Sequence, residues 1–172
     1  GYELSLFASE PMFQNPTNID IDHKGRVYVC EAYNYRPQIS GIKTKFEGDR
    51  IMILEDTNGD GKADVSKVFY QGPEINAPLG ICVLDNEVIV SQSPYVWKFT
   101  DTDGDDKADK KEILFQSIKG IQDDHGVHAL SLGADGKFYF SLGNASKTIS
   151  DKNDKIIKTI TGDPIDETHF RQ

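Results

Sequence analysis

Ile53-Leu54-Glu55-Asp56-Thr57-Asn58-Gly59-Asp60-Gly61-Lys62-Ala63-Asp64 returns 45 residues later as Lys98-Phe99-Thr100-Asp101-Thr102-Asp103-Gly104-Asp105-Asp106-Lys107-Ala108-Asp109. The match continues without a gap, Val68-Phe69-Tyr70-Gln71 answering Ile113-Leu114-Phe115-Gln116. A period of this size, made of short β-like runs and acidic turns, is the signature of a blade repeat.

Outward from this repeat, runs rich in Val, Ile, Tyr and Phe alternate with Gly, Asp and Asn, the pattern of strands and tight turns. Three hairpins follow: 18–22 with 26–31, 79–84 with 87–92, and 128–133 with 137–142. Each turn holds a Gly, Asn or Asp to supply the positive φ of a short hairpin loop. After each of the first two hairpins come a third strand (50–54, 95–99), an acidic loop and a fourth strand (66–70, 111–116). Four antiparallel strands per unit make a propeller blade. The expected fold is all-β, a propeller of four-stranded blades, with blade 1 at about 16–72, blade 2 at about 78–117 and an incomplete blade 3 at about 127–172. The extra length of the first unit falls at Tyr33–Asp49 and reads as a surface loop. In the third unit 155–160 is a candidate strand. Propellers close with about four to eight blades, so three read as the N-terminal arc of a larger ring. The remainder would come from further sequence or from another chain. A small β-sandwich of the same strands is the alternative.

Composition narrows the function. The chain has 172 residues, 37% hydrophobic and 10% aromatic, enough for a folded core. Acids outnumber bases 28 to 19, for a net charge of −9, which argues against nucleic acid or an anionic membrane surface as the main partner. No apolar run approaches a membrane span, so no membrane insertion by this segment is expected. Gly1-Tyr2-Glu3-Leu4 reads as a mature or cut start. Cys30 and Cys82 lie in apolar runs and read as buried free thiols, with one disulfide as the alternative.

The acidic loops are candidate cation sites. Asp56, Asn58, Asp60 and Asp64 stand at relative positions 1, 3, 5 and 9, as do Asp101, Asp103, Asp105 and Asp109. Alternating carboxylates around a tight turn converge oxygens as a hard cation such as calcium requires. Loop one has Gly61 at position 6 but Lys67 at position 12. Loop two has Glu112 at position 12, a further candidate ligand, but Asp106 at position 6. The competing reading is a pair of acidic turns whose carboxylates bond their own amides.

Asp123-Asp124-His125-Gly126-Val127-His128 is the stretch that reads as chemistry. A histidine preceded by acids and followed by glycine suits a general base held by a carboxylate. A histidine that merely caps a strand or packs in the core is the alternative. His125 and His128, three apart on a strand, would face opposite ways.

The stretch from Asp124-His125-Gly126 through Ala134-Asp135-Gly136 to Phe138-Tyr139-Phe140-Ser141-Leu142-Gly143-Asn144 resembles the motif of soluble quinoprotein sugar dehydrogenases, the glucose/sorbosone dehydrogenase-like six-bladed propellers. Pro16–Asp22 with Val27–Glu31 resembles the first blade of that family. The Leu54–Gly61 turn is similar to turns in propeller domains of secreted bacterial membrane-bound dehydrogenase proteins, which often carry a c-type haem domain. The resemblance implies His125 as the base that takes a proton from a sugar or polyol hydroxyl, and Asp124 as its cofactor-side neighbour. Hydride would pass to pyrroloquinoline quinone (PQQ). It also implies export, to the periplasm or to the extracellular side or cell surface, in a Gram-negative bacterium. The family's quinone-contacting glutamine is missing near Asn76-Ala77-Pro78-Leu79-Gly80, and no Cys-x-x-Cys-His haem motif occurs. In that family the basic cofactor-binding residues and the active-site calcium ligands come from later blades. The competing function is a non-catalytic propeller, stabilised by calcium, that binds glycan or protein. Electron transfer with a haem domain is a third.

Overall fold

The structure is a computed structural model that describes residues 1–116, 126–143 and 148–166. It is all-β, a propeller-like arc of antiparallel sheets. The first sheet is a four-stranded meander of β1 (Pro16–Ile21), β2 (Val27–Glu31), β3 (Arg50–Glu55) and β4 (Val65–Gln71). The second repeats it with β5 (Gly80–Leu84), β6 (Glu87–Gln92), β7 (Tyr95–Thr100) and β8 (Lys110–Gln116). A third holds β9 (Val127–Leu132) and β10 (Phe138–Leu142). The strands fall within one or two residues of their expected positions, because Gly25, Asp85 and Gly136 provide the positive φ their turns need (81°, 52° and 75°). The 45-residue repeat extends to backbone irregularities: a register shift between Ile51 and Met52 recurs between Val96 and Trp97.

Alternation along each strand sends successive side chains to opposite faces, and in β2, β3 and β6 both faces are covered. Tyr28, Cys30, Ile51, Ile53 and Phe69 of the first sheet meet Ile81, Val88, Val90 and Phe99 of the second in one buried core. The other face of the first sheet, Val29, Met52 and Leu54, is covered by Phe7, Ala8, Met12 and Phe13 of the N-terminal segment. Cys82, Ile89 and Val96 on the second sheet's far face join Val127, Leu130 and Ile149. Burial on both faces explains why these three strands read as continuous apolar runs. Both cysteines are buried and free, which resolves the disulfide alternative.

Three further expectations are refined. The Tyr33–Asp49 insertion contains one helical turn, Pro37–Ser40. Its ends are buried rather than on the surface, because Asn34 bonds the backbone of Lys45 on both sides and the side chain of Asn76. Residues 155–160 form only isolated bridges. The short β11 (Ser150–Asp151) instead pairs with β8, so the second sheet has a fifth strand. Among the described residues no helix is long and apolar enough to cross a membrane.

Candidate functional site

Antiparallel meanders separate the loops into two groups at opposite ends of the strands. The hairpin turns and the acidic loops lie at one end. The chain enters β1, β5 and β9 at the other, called here the mouth, where the β2–β3 insertion also sits. These first strands lie side by side: the Val83 amide donates to Asp20 (2.7 Å) and the Thr17 hydroxyl to the Pro78 carbonyl (2.5 Å). Gly80 permits the approach of β9, since a Cβ there would stand 2.9 Å from the Ala129 nitrogen and 3.0 Å from that of Leu130.

The acidic loops are ordered by their own amides, as the Asx-turn reading expects. In loop one Asp56 accepts from Gly59 (2.7 Å) and Gly61 (2.8 Å), Asn58 from Asp60 and Asp60 from Lys62. These amides, Gly61 first, hold the Asp56 carboxyl below its usual range. Asp64 folds back onto the Thr57 hydroxyl (2.9 Å). Loop two repeats the set: Asp101 accepts from Gly104 and Asp106, Asp103 from Asp105, Asp105 from Lys107, and Asp109 takes the Thr102 hydroxyl (2.6 Å). Only in loop two among the described residues do three acidic side chains converge: oxygens of Asp101, Asp103 and Asp109 lie within 4.8 Å of one another. Loop one has Asn58 at the middle position. Glu112 stays outside the cluster, drawn to Lys98 (3.1 Å) and Lys110 (3.7 Å).

Asp106, which departs from the expected glycine, adopts that glycine's left-handed backbone (φ 66°). Its carboxylate meets Arg26 and Lys67 of the first sheet, each at 2.5 Å. Lys67, then Arg26, pull its pKa down. Arg26 also pairs with buried Asp22 at 2.7 Å. Burial alone would raise Asp22, but bonds from the Arg26 backbone and side chain leave it below its usual range. This end of the molecule is an inter-sheet electrostatic clasp.

At the mouth, a cavity of about 410 Å³ is lined by Asn15, Thr17, Ala32, Tyr35, Ile42 and Leu79, among others. At the same end lie two buried acids that sequence reasoning missed. Glu31 takes two bonds from Arg50 (2.6 and 2.8 Å) and the Gln14 amide. Asp49 has no cation beside it among the described contacts and accepts from the Asn34 and Ala77 amides (3.0 and 2.8 Å). Burial raises its pKa, partly offset by those amides. The available signal was a charged residue closing an apolar run: Glu31 ends β2 and Arg50 begins β3. Buried hydroxyls of Ser91 and Ser93, near the start of β5, have no hydrogen-bond partner among the described residues. Asp124 and His125 lie outside the described residues; His128 is half-buried on β9.

Residues 1–165 match a domain of unknown function, DUF7133. The chain belongs to the DUF7133 family. No curated protein matches this DUF7133 chain. Solved structures of a Trichoderma reesei carbohydrate-active enzyme of family AA12 share its fold. An iodide structure is 15% identical with a TM-score of 0.58, over 92% of this chain and 43% of that one. A calcium structure is 16% identical with a TM-score of 0.58, over 95% and 40%. The DUF7133 chain thus spans about two fifths of the length of these relatives in fold.

Proposed function

We propose that these residues form one arc of a larger propeller, completed by the remainder of the ring or by another chain. The complete assembly is a sugar or polyol dehydrogenase-like enzyme, exported to the periplasm or the cell surface. The observation that carries this reading is the coincidence of two likenesses. The Asp124–Asn144 stretch resembles the quinoprotein motif, and the arc shares its fold with a carbohydrate-active enzyme. In this reading His125 is the base for the substrate hydroxyl and Asp124 its neighbour.

The mouth cavity tests whether the described residues could hold the quinone. Its lining has no lysine or arginine to meet the carboxylates of PQQ, and no glutamine stands at 76–80. The described lining of this cavity therefore does not by itself make a PQQ site, and no step through the quinone follows from it. Calcium fits better: loop two offers three converging carboxylates, and the AA12 relative was solved in a calcium structure. Loop one, with Asp56, Asn58, Asp60 and Asp64, is the weaker site. Both loops lie at the end opposite the mouth, so calcium there stabilises sheets rather than taking part in chemistry. That separation favours the second reading, a calcium-stabilised propeller that binds glycan or protein without catalysis.

The deciding experiment is a calorimetric titration of PQQ into the complete protein with calcium present, with His125→Ala alongside. Enzyme function predicts binding that weakens in the variant and dye reduction that is lost. Absence of heat at several temperatures, with unchanged folding, sinks the dehydrogenase reading and leaves the binding module.

A further inference from the structure

The N-terminal segment carries a second repeat, at 62 residues. Tyr2–Asp22 aligns without a gap on Asp64–Leu84, placing Phe7 on Phe69, Pro11 on Pro73, and Pro16 on Pro78. Backbone geometry follows the same register: Asn15 and its counterpart Ala77 both have positive φ, 45° and 54°. In this alignment residues 3–9 are the counterpart of β4, the outermost strand of the first sheet.

Contacts agree with the alignment. The Ala108 amide of loop two donates to the Phe69 carbonyl on β4 at 2.9 Å. Its repeat partner Ala63, in loop one, donates to the Phe7 carbonyl at 2.8 Å. Phe7 therefore faces the first sheet as Phe69 faces the second. One thing differs. β4 is laddered to β3 along its length, whereas residues 1–9 belong to no strand. Leu6, the counterpart of Val68, is 69% exposed and Leu4 is 99% exposed, while Val68 packs on Val29, Met52 and Leu54. Apart from the Phe7 and Ser9 carbonyls, the backbone of 3–9 takes part in no backbone bond among the described residues; with its exposed leucines it has the character of an open sheet edge.

We propose that residues 3–9 are the outermost strand of a further blade, whose three inner strands come from the closing end of the same propeller. The occupant is an antiparallel three-stranded β-sheet that presents its third strand to residues 3–9 and an apolar face to Leu6. The N-terminus thereby fastens the last blade to the first sheet. This inference rests on the reading that further blades complete the ring.

Hydrogen–deuterium exchange on the complete protein tests it, by following segments 2–9, 65–71 and 138–142. Closure predicts that 2–9 exchanges at least about 100-fold more slowly than an unstructured peptide, the protection also expected of the laddered 65–71. Leu6→Asp should abolish protection of 2–9 while 65–71 keeps its own. Free exchange at 2–9, with 65–71 and 138–142 protected, overturns the closure but not the larger propeller. Free exchange at both 2–9 and 138–142 overturns both. Protection of 2–9 that is lost on dilution assigns the edge to a second copy of the protein and overturns the proposed occupant.

Discussion

At the sixth position of its turn the first acidic loop has Gly61, open to solvent, and the second has Asp106, bonded to Arg26 and Lys67 of the neighbouring sheet. The turns share most of their amide bonds, and differ also in having Asn58 against Asp103. Loop two lies against a complete sheet, while loop one lies against an N-terminal segment that has no ladder of its own. Where the repeat replaces its turn glycine, at Asp106, the copy touches a neighbour. The side chain that costs backbone freedom at a left-handed position is retained because two cations face it across the sheet boundary.

The largest expected effect comes from removing the shared cation. Arg26→Met strands buried Asp22 and deprives Asp106 of one partner, and leaving a buried charge unpaired costs about 3 kcal/mol or more. Urea denaturation of the variant against the parent measures it; a loss below about 1 kcal/mol would show that the clasp is not holding the sheets together. Next, Asp106→Gly makes loop two resemble loop one. Glycine relieves the backbone at φ 66°, yet the lost bonds to Arg26 and Lys67 should leave a net loss of about 1–2 kcal/mol. A neutral or stabilised variant would reverse the ranking of the two terms. The mirror change, Gly61→Asp, has strain without a partner and should cost about 1 kcal/mol.

Acid should erase the clasp selectively. Lys67 and Arg26 hold the folded pKa of Asp106 below the ordinary carboxylate value. Its contribution is thus fully present above that value and disappears as pH falls through the folded pKa. The stability gap between the parent and Asp106→Asn, measured in denaturant from pH 7 downward, should be constant to about pH 5 and close below pH 4. A gap that widens in acid would contradict the assignment. The last effect concerns calcium and scales with its concentration. Ion at tenfold its Kd adds about 1.4 kcal/mol. Asp103→Asn, which copies loop one's Asn58, should remove most of this gain, and Asn58→Asp should add to loop one. Thermal melts with calcium and with chelator measure both changes; equal responses in parent and Asp103→Asn would exclude loop two.

Much of the fold was legible because its signals are local. The turn glycines, Asp85, and the apolar runs between them determine where strands begin and end, whatever lies nearby. The acidic loops were legible for the same reason, since their carboxylates bond amides two to seven residues away. Asp49 and Glu31 were not legible as buried acids. Beyond the charged residue that closes an apolar run at Glu31, nothing local distinguishes a solvated carboxylate from one roofed by the Asn34 and Ala77 amides or clamped by Arg50. The N-terminal strand counterpart was present in the sequence as a 62-residue repeat. It was obscured because the insertion at Tyr33–Asp49 gives it a different period from the acidic loops.

By itself, the sequence determined the strands, their hairpin order, the two turn-forming loops and the all-β class, because backbone preference and two-residue alternation act over a few positions. Only the tertiary structure decided which face of each strand meets which sheet. It also decided that Asp106 joins Arg26 and Lys67, and that Ala63 holds Phe7 as Ala108 holds Phe69. Those partners are 80, 39, 56 and 39 residues apart. Coulomb attraction and burial depend on distance in space, and only the stacking of one sheet on the next brings such residues within it.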